Sequence, residues 1–309
     1  MGTASGTLRA TAPVVILNPA ANRGRATSMR PLIERALAGG RGELVLTERP
    51  RHGEDIGREA AQSGRSVIVV GGDGTLAEVA NGILSVQQPA EVSLGLIAAG
   101  NGNDYAWHTL KLPRDTAAAL EVALEGEVVS VDAGMVNGRY FINSLGIGID
   151  ANIAAAAEEM KRYPFMQGSA LYWGSSLREI LFHYSRCPWL KVYPDGEETD
   201  GRLFALCAVS IGPTYGGGFR INPQAEIHDG LFDMCMMVKP PKLRALRILG
   251  LVSKGEHTTL PEVTMRRVRS VVLESREPVY AHLDGEVIKS TRFEAHTLPG
   301  ALRVRVHKA

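Results

Sequence analysis

A short apolar segment runs into a glycine-rich turn and then into a helical pattern, and this junction constrains the fold more than any other part of the chain. The apolar segment ends at Val69-Val70, the turn is Gly71-Gly72-Asp73-Gly74, and the helical pattern starts at Thr75. Glycines let the main chain approach a phosphate, and a helix N-terminus presents free N–H groups and the positive end of the helix dipole. Asp73 can hold Mg²⁺ directly or through water, and Thr75 can cap the helix or bond a phosphate. An ordinary glycine turn capped by Thr75 is the alternative.

A second glycine-rich turn follows a second apolar segment and carries further polar side chains. The segment is Leu94–Ala99 and the turn is Gly100-Asn101-Gly102-Asn103-Asp104. Because open α/β sheets bind ligands at the carboxyl ends of their strands, this turn and the Gly71–Gly74 turn should meet at one edge. Asp73 and Asp104 there would suit a magnesium–nucleotide site. Taken alone, the second turn is equally typical of a simple Asn-Gly turn.

The order of predicted elements changes near Asp132. Before it, apolar strands alternate with helical patterns, which is typical of a doubly wound α/β domain with a parallel sheet. After it, strands follow one another and only a few helices interrupt them. The sequence therefore predicts two domains, over residues 1–133 and 134–290. Strands are predicted at Val14–Leu17, Glu43–Leu46, Ser66–Val70, Leu94–Ile97, Tyr140–Asn143, Leu190–Tyr193, Leu203–Ser210, Leu231–Val238, Val268–Leu273 and Leu302–Val306, and helices at Thr27–Leu37, Glu54–Gln62, Thr116–Leu124, Ala151–Lys161, Ser169–Tyr184 and Leu243–Leu251.

Composition and charge argue against several classes of protein. The 309 residues carry a formal net charge of +1, which indicates neither nucleic-acid binding nor strong membrane attraction. The three cysteines form no Cys-x-x-Cys pair, which is typical of a reducing cytoplasm. No apolar run approaches the ~20 residues of a membrane span, and the first residues lack a signal-peptide core. We expect a cytoplasmic protein without a transmembrane segment, which would meet membranes only as a peripheral protein.

The two glycine turns, together with Asn18-Pro19-Ala20 after the first strand, resemble the diacylglycerol kinase catalytic domain. That family also includes sphingosine and ceramide kinases and bacterial lipid kinases. The resemblance continues along nearly the whole chain, and a series of blocks in this order is far more specific than one motif. The further blocks are Asp132-Ala133-Gly134, Asn137–Asn143, Gly146–Ala151, Gly216–Pro223, Asp229–Asp233 and His282-Leu283-Asp284-Gly285-Glu286.

The resemblance implies a nucleotide domain related to phosphofructokinases and NAD kinases, followed by a β-sandwich-like lipid domain. Residues 291–309 would return to the first domain. It also implies ATP- and Mg²⁺-dependent phosphorylation of a lipid hydroxyl, most naturally that of diacylglycerol, at the inner face of the membrane. No nucleic-acid partner is implied, and a homodimer is left open.

Specific residues acquire roles from the same resemblance. It makes Asp284 the general base toward the lipid hydroxyl, and Asp73 and Asp104 members of a carboxylate–magnesium network. It places a structural Mg²⁺ on Asp229 with the main-chain carbonyls of Glu226 and Leu231. Asn101 stands where the family commonly has Thr or Ser, and its amide can still donate and accept hydrogen bonds. The implied nucleotide contacts are Asn18, Thr47, Gly71, Gly72, Asp73, Gly74, Thr75, Asn101 and Glu286.

Two other functions stay open. An NAD kinase would share the Gly-Gly-Asp-Gly-Thr turn, but the chain lacks a block like Thr-Gly-Ser-Thr-Ala-Tyr. A catalytically inactive lipid- or nucleotide-binding regulator is the second alternative, and the presence of Asp73 and Asp284 argues against it. His282 could line the site, but it is interpreted as a packed or solvated histidine. Gly146-x-Gly148 is interpreted as a structural turn before a helix or as part of the cleft between the two predicted domains.

Overall fold

The computed structural model describes residues 12–86, 92–160 and 168–308. They form two compact units, and the chain passes from the first to the second and back again. The first unit comprises Met1–Val131 and Gly300–Ala309, and the second comprises Asp132–Pro299. The first residues of the chain, which were expected to lack a signal-peptide core, and Lys161, the predicted end of a helix, lie outside the described residues.

The described residues form thirteen strands and seven α-helices. The strands are β1 (Val14–Leu17), β2 (Glu43–Leu46), β3 (Val67–Gly71), β4 (Ser93–Ala98), β5 (Glu127–Val136), β6 (Arg139–Phe141), β7 (Ser144–Gly148), β8 (Trp189–Pro194), β9 (Arg202–Ser210), β10 (Phe232–Val238), β11 (Val263–Val268), β12 (Ser270–Leu283) and β13 (Glu286–Val306). The α-helices are α1 (Arg30–Ala36), α2 (His52–Gln62), α3 (Asp73–Leu84), α4 (Thr116–Glu125), α5 (Ile149–Met160), α6 (Gly168–Phe182) and α7 (Lys242–Lys254). Two 3₁₀ segments, Ala21–Met29 and Tyr184–Arg186, and a π-helical turn, Tyr105–Thr109, complete the set.

The first unit contains a parallel sheet. In it β2, β1, β3 and β4 lie side by side, and residues 303–304 of β13 flank β4, with Arg303 opposite Ser93. The strands are almost wholly apolar and β-branched because both faces of a parallel sheet are covered. Side chains on one face pack against α1 and α4, and the alternate side chains face α2 and α3. The predicted doubly wound α/β architecture is confirmed.

The second unit is built on antiparallel strands. Its main run is β11, β10, β9, β7, β12 and β13, and β8 pairs with both β9 and β12. Phe141, Phe232 and Phe293 are fully buried in the core between these strands. The other side of β9 and β10 is covered by α6 and α7, which explains why β9 is buried on both faces from Phe204 onward. The predicted β-sandwich-like character of the second half is confirmed.

Several elements differ from the predictions in position. The helix predicted from Thr27 begins at Arg30, because residues 22–24 take left-handed backbone angles inside the preceding 3₁₀ segment. The strand predicted at Val268–Leu273 is divided between β11 and β12. Strand β7, Ser144-Leu145-Gly146-Ile147-Gly148, was missing from the prediction because its two glycines disfavour a strand, and burial between β9 and β12 overrides that preference. In the described residues, no helix is both long and apolar enough to cross a bilayer.

Candidate functional site

The carboxyl ends of the parallel strands bring the predicted nucleotide residues to one edge of the first unit. Asn18 follows β1, Thr47 follows β2, and Gly72 forms the N-cap of α3 directly after β3. The Asn18 side-chain amide donates to Thr75 Oγ1 at 2.9 Å, and the Thr47 N–H donates to the Leu17 carbonyl at 3.0 Å. The first turn of a helix leaves its N–H groups without partners within the helix, so α3 presents donors beside Asn18. This arrangement suits an anion such as a phosphate.

The two glycine turns touch main chain to main chain. A Cβ placed on Gly100 would lie 2.4 Å from Gly72 Cα, and one on Gly72 would lie 2.9 Å from Gly100 Cα. Asn103 fixes the second turn, because its Oδ1 accepts from the Gly100 N–H and its Nδ2 donates to the Gly100 carbonyl, both at 2.8 Å. Asn103 has a φ of 55° and is buried. Only glycine at both contact positions permits this approach, so the two turns form one rigid surface.

Asp73 holds the two turns together through its carboxylate. The N–H groups of Asp104 and Tyr105 donate to Asp73 Oδ2 and Oδ1 at 3.2 and 3.1 Å, and so Asp73 caps the π-helical turn. The residue as a whole is partly exposed, but burial of the carboxyl group raises its pKa, against the main-chain N–H groups, which lower it. This role in joining the turns was not foreseen, because the donors lie about 30 residues along the chain.

The remaining nucleotide candidates of the first unit surround this surface. Asp104 is buried at the start of the π-helical turn, Asn101 is partly buried in the second glycine turn, and Gly74 is exposed in the first turn of α3. Oxygen ligands such as carboxylates are those that Mg²⁺ prefers, and Asp73 and Asp104 supply them here. The donor chemistry of this edge therefore fits a magnesium–phosphate group.

The second unit carries Asp284 in a tight turn between β12 and β13. Asp284 has a φ of 49° and Gly285 a φ of 93°, as two-residue hairpin turns require. The carboxylate accepts three main-chain N–H groups, from Ile142 at 2.7 Å, Asn143 at 3.0 Å and Ser144 at 2.8 Å. The turn is thus fastened to the segment that leads into β7.

The surroundings of Asp284 include groups that raise the pKa of its carboxyl group and groups that lower it. Burial raises its pKa to about 6, and the three N–H groups and the nearby His282 oppose that rise. A carboxyl group with a pKa near 6 is ionised at neutral pH and still basic enough to accept a proton. Asp284 therefore has the properties of a general base. The sequence predicted the residue and its turn but not the three donors, which lie about 140 positions earlier.

The other predicted residues of the second unit range from partly buried, at Asp229 and Leu231, to exposed, at Glu226 and Glu286. Glu286 is exposed and accepts a hydrogen bond from Arg139 at 2.8 Å. Asp229 Oδ1 accepts from the Leu231 N–H at 2.9 Å, and Asp229 Oδ2 forms an ion pair with Arg267. In the part of the chain that the structure describes, no three histidine, cysteine or acidic side chains form a metal cluster.

Two further acidic residues, Glu226 and Asp233, lie close to Asp229 in the sequence. Asp233 lies opposite Arg267 in the β10–β11 pairing. Burial and the charge of the exposed Glu226 raise the pKa of Asp233 to about 6, and Asp233 Oδ2 is buried without a hydrogen-bond partner among the described residues. A buried carboxylate oxygen without a hydrogen-bond partner, opposite the arginine that pairs with Asp229, fits a small cation, which main-chain carbonyls could help to hold.

Two family models match the chain in succession. The diacylglycerol kinase catalytic domain matches residues 12–136, and the YegS C-terminal NAD kinase beta sandwich-like domain matches residues 143–306. The first model covers the paired glycine turns of the α/β unit, and the second covers the Asp284 turn of the antiparallel unit. A diacylglycerol kinase of Staphylococcus saprophyticus is 30% identical over 244 residues, which are 75% of this chain and 76% of the relative. The chain belongs to the diacylglycerol kinase family.

Solved structures show the same fold. A diacylglycerol kinase from Bacillus anthracis superposes with a TM-score of 0.71 at 20% identity, over 96% of this chain and 97% of that chain. An NAD kinase from Archaeoglobus fulgidus, solved in complex with ATP, superposes with a TM-score of 0.56 at 14% identity, over 96% and 94% of the two chains. The family and the fold expected from the sequence are therefore confirmed.

Proposed function

We propose that this chain is an ATP- and Mg²⁺-dependent lipid kinase that phosphorylates the hydroxyl group of diacylglycerol and forms phosphatidic acid. The observation that carries the proposal is Asp284, a partly buried residue whose carboxylate accepts three main-chain N–H groups and whose pKa is raised by burial to about 6. The name of the Staphylococcus saprophyticus relative supports the substrate. The ATP in the Archaeoglobus fulgidus NAD kinase supports the nucleotide.

The first unit would hold the nucleotide. The glycine turns and the N-terminus of α3 supply main-chain donors for phosphate oxygens, and Asn18, Thr47, Thr75 and Asn101 supply side-chain donors and acceptors. Phosphoryl transfer depends mainly on positioning and charge neutralisation. Mg²⁺ would neutralise the phosphate charge, and Asp73 and Asp104 are the carboxylates that would hold it, directly or through water. Glu286 is the nucleotide contact proposed from the second unit.

Asp284 would take the proton from the lipid hydroxyl. At neutral pH the carboxylate is mostly ionised, because its pKa is about 6. A general base of this kind typically contributes ~10²–10⁴-fold to the rate. The three N–H groups keep the carboxylate in place while its charge changes. The lipid would be met at the inner face of the membrane by a cytoplasmic, peripheral protein, with no role for nucleic acid.

A panel of acceptors tests the function. Radiolabelled ATP and Mg²⁺ are supplied with mixed micelles of diacylglycerol, phosphatidylglycerol, a sphingoid base or ceramide, and in parallel with soluble NAD. We expect transfer to diacylglycerol above all other acceptors, and loss of transfer when EDTA removes Mg²⁺. Transfer to NAD would make the chain an NAD kinase. ATP binding without transfer to any acceptor would make it a regulator.

A further inference from the structure

A chain of three polar side chains, of which Asp150 and His282 are buried and Tyr215 is partly buried, lies close to the Asp284 turn. The Tyr215 hydroxyl donates to Asp150 Oδ2 at 2.9 Å, and the same oxygen lies 3.4 Å from His282 Nε2. The Tyr215 and His282 rings are 5.1 Å apart, centre to centre. Only 9% of Asp150 and 4% of His282 are exposed to solvent. A carboxylate and an imidazole at this depth do not pair by chance, because burying either alone is costly.

The main chain leaves room for this pair at Gly146. A Cβ on Gly146 would lie 1.9 Å from Asp150 Oδ2 and 2.4 Å from His282 Nε2. Gly146 is the residue opposite His282 in the β7–β12 pairing. Asp150 is oriented from the other side as well, because its Oδ1 accepts the Ala151 N–H at 2.9 Å in the first turn of α5. The glycine of the Gly146-x-Gly148 motif is thus explained by the pair.

The same two strands connect this pair to Asp284. His282 is two residues before Asp284 on the chain, at the end of β12. Ser144, which donates its N–H to Asp284, is two residues before Gly146 on β7. The positive charge of His282 favours the ionised form of Asp284 and lowers its pKa. His282 Nδ1 is buried and has no hydrogen-bond partner among the described residues.

We propose that His282 is a positioning residue for the kinase reaction, which Asp150 and Tyr215 hold as a cation and which in turn keeps Asp284 ionised. The inference rests on the proposed role of Asp284 as the base. Asp150 stabilises the imidazolium directly, and Tyr215 fixes the Asp150 carboxylate. His282 contacts neither the lipid nor the nucleotide in this scheme, and it acts only through Asp284.

The other titratable groups near the pair cannot replace His282. Burial raises the pKa of Cys235 to about 12 and raises the pKa values of Cys207 and Tyr215, and Asp150 adds to each rise. These groups therefore stay neutral over the working pH range. Arg139 and Glu286, the latter two residues after Asp284, form an ion pair with each other. His282 lies 3.4 Å from Asp150 and acts on the pKa of Asp284, so it is the group through which the two carboxylates can be coupled.

The test is the pH dependence of kcat/KM for diacylglycerol phosphorylation. His282→Gln removes the cation, so the acid side of the profile should move to higher pH. We expect activity at pH 6 to fall ~3- to 10-fold relative to wild type and to lie within about twofold at pH 8.5, since one pKa unit corresponds to a tenfold change in ionisation. Asp150→Asn should move the profile in the same direction. The double variant should equal His282→Gln, because Asp150 acts through His282.

A second buried histidine provides the matched control. His257 is fully buried in the same unit, with Nε2 at 3.0 Å from the Ile221 carbonyl. His257→Gln should lower Tm and leave the shape of the pH profile unchanged. Equal losses at all pH values in His282→Gln, or additive losses in the double variant, would overturn the positioning role. Tyr215→Phe, which removes only one hydroxyl, keeps the test informative if Asp150→Asn does not fold, and a smaller shift in the same direction is expected.

An NMR titration separates this inference from the proposed function. The His282 imidazole is followed by its ring resonances in the full chain, with no substrate present. Its titration midpoint should fall in Asp150→Asn and, by less, in Asp284→Asn. An unchanged midpoint in both variants would refute the coupling even if the enzyme phosphorylates diacylglycerol. A lowered midpoint in an enzyme that phosphorylates no lipid would refute only the proposed function.

Discussion

A second aspartate of the same unit, Asp195, binds main-chain N–H groups in a tight turn as Asp284 does. Asp195 also has a left-handed backbone, with a φ of 48°, and also precedes a glycine. Its carboxylate accepts the N–H groups of Arg269 and Ser270 at 2.9 and 2.8 Å. Asp195, however, is exposed, whereas burial raises the pKa of Asp284. The two residues together allow the role in the turn to be separated from the role in catalysis.

Replacing each of these aspartates by asparagine should give different results. Asn tolerates the turn about as well as Asp, so both variants should fold. The amide oxygen of Asp284→Asn can still accept the Asn143 and Ser144 N–H groups, but the Ile142 N–H loses its acceptor, so this variant should have the lower Tm. We expect Asp284→Asn to lower kcat ~10²–10⁴-fold with ATP affinity preserved, because its amide cannot accept the proton. Asp195→Asn should keep kcat within a few-fold. Steady-state kinetics and a separate nucleotide-binding measurement provide the comparison. If Asp284→Asn is as active as Asp195→Asn, Asp284 is not the general base.

The raised pKa of Asp284 also predicts how stability depends on pH. The ordinary pKa is 3.8 and the folded value is about 6, so the folded state binds the proton more tightly than the unfolded state. The stabilisation from this group is complete below about pH 4 and is lost as pH rises through about 6. Between pH 4.5 and 8, Tm of the wild type should therefore fall relative to that of Asp284→Asn. A Tm difference that stays constant with pH would show that Asp284 titrates normally.

At the scale of the element, the contact between the two glycine turns is the feature most sensitive to substitution. Gly100→Ala would place its Cβ 2.4 Å from Gly72 Cα, and main-chain atoms cannot move aside as a flexible side chain can. We expect a loss of ~1–3 kcal/mol of stability, as is typical of overpacking, and a large loss of nucleotide affinity. Thermal unfolding and ATP titration measure the two effects.

Gly250→Ala is the control for that substitution. Gly250 lies inside α7, and an added Cβ there would meet no atom of the described residues within 4 Å. Alanine favours a helix over glycine by roughly 1 kcal/mol, so Tm should rise slightly and nucleotide affinity should not change. If Gly100→Ala behaves like Gly250→Ala, the two turns are not in contact.

The turn between Glu226 and Asp233 should report whether it binds a cation. We propose that Mg²⁺ is held there by Asp229 and the carbonyls of Glu226 and Leu231, and EDTA should then lower Tm of the wild type. Asp229→Ala should lower Tm and abolish that response to EDTA, and leave kcat less affected than Asp284→Asn does. Asp200→Ala, which breaks a 3.7 Å surface ion pair with Arg202, should neither lower Tm nor abolish the response of Tm to EDTA. If EDTA does not change the wild-type Tm, the turn binds no Mg²⁺ and the role of Asp229 is its ion pair with Arg267.

The features that could be predicted from the sequence are those that depend on neighbouring residues in the chain. The Gly71–Gly74 turn, the α/β alternation and the Asp284 turn depend on residues within a few positions of one another, and each was expected. The register that places His282 opposite Gly146, and the donors that reach Asp284 and Asp73, depend on residues that are distant in the chain. No spacing in the sequence reveals such contacts, and His282 was accordingly interpreted as an ordinary packed or solvated histidine.

At the scale of the whole molecule, the first unit is completed by a segment from the far end of the sequence. Val304 pairs with Leu94, and Arg305 donates to the Gly126 carbonyl at 3.0 Å and to Ser93 Oγ at 3.2 Å. Removing residues 300–309 should therefore expose the edge of β4. We expect a lower Tm, weaker ATP binding and aggregation, because an unpaired apolar strand edge recruits other chains. A truncated chain that stays monomeric and binds ATP normally would show that this strand is dispensable.

That late strand partner also has a consequence for synthesis on the ribosome. Ser93 and Leu94 emerge about two hundred residues before Arg303 and Val304, so the β4 edge stays open while the second unit is translated. Domains generally fold as units as they emerge, with the N-terminal one first. Here the second unit can finish before the first, and the first unit would be completed only after Arg303 and Val304 have left the ribosome. Nascent chains stalled before residue 303 would then engage chaperones that recognise open strand edges.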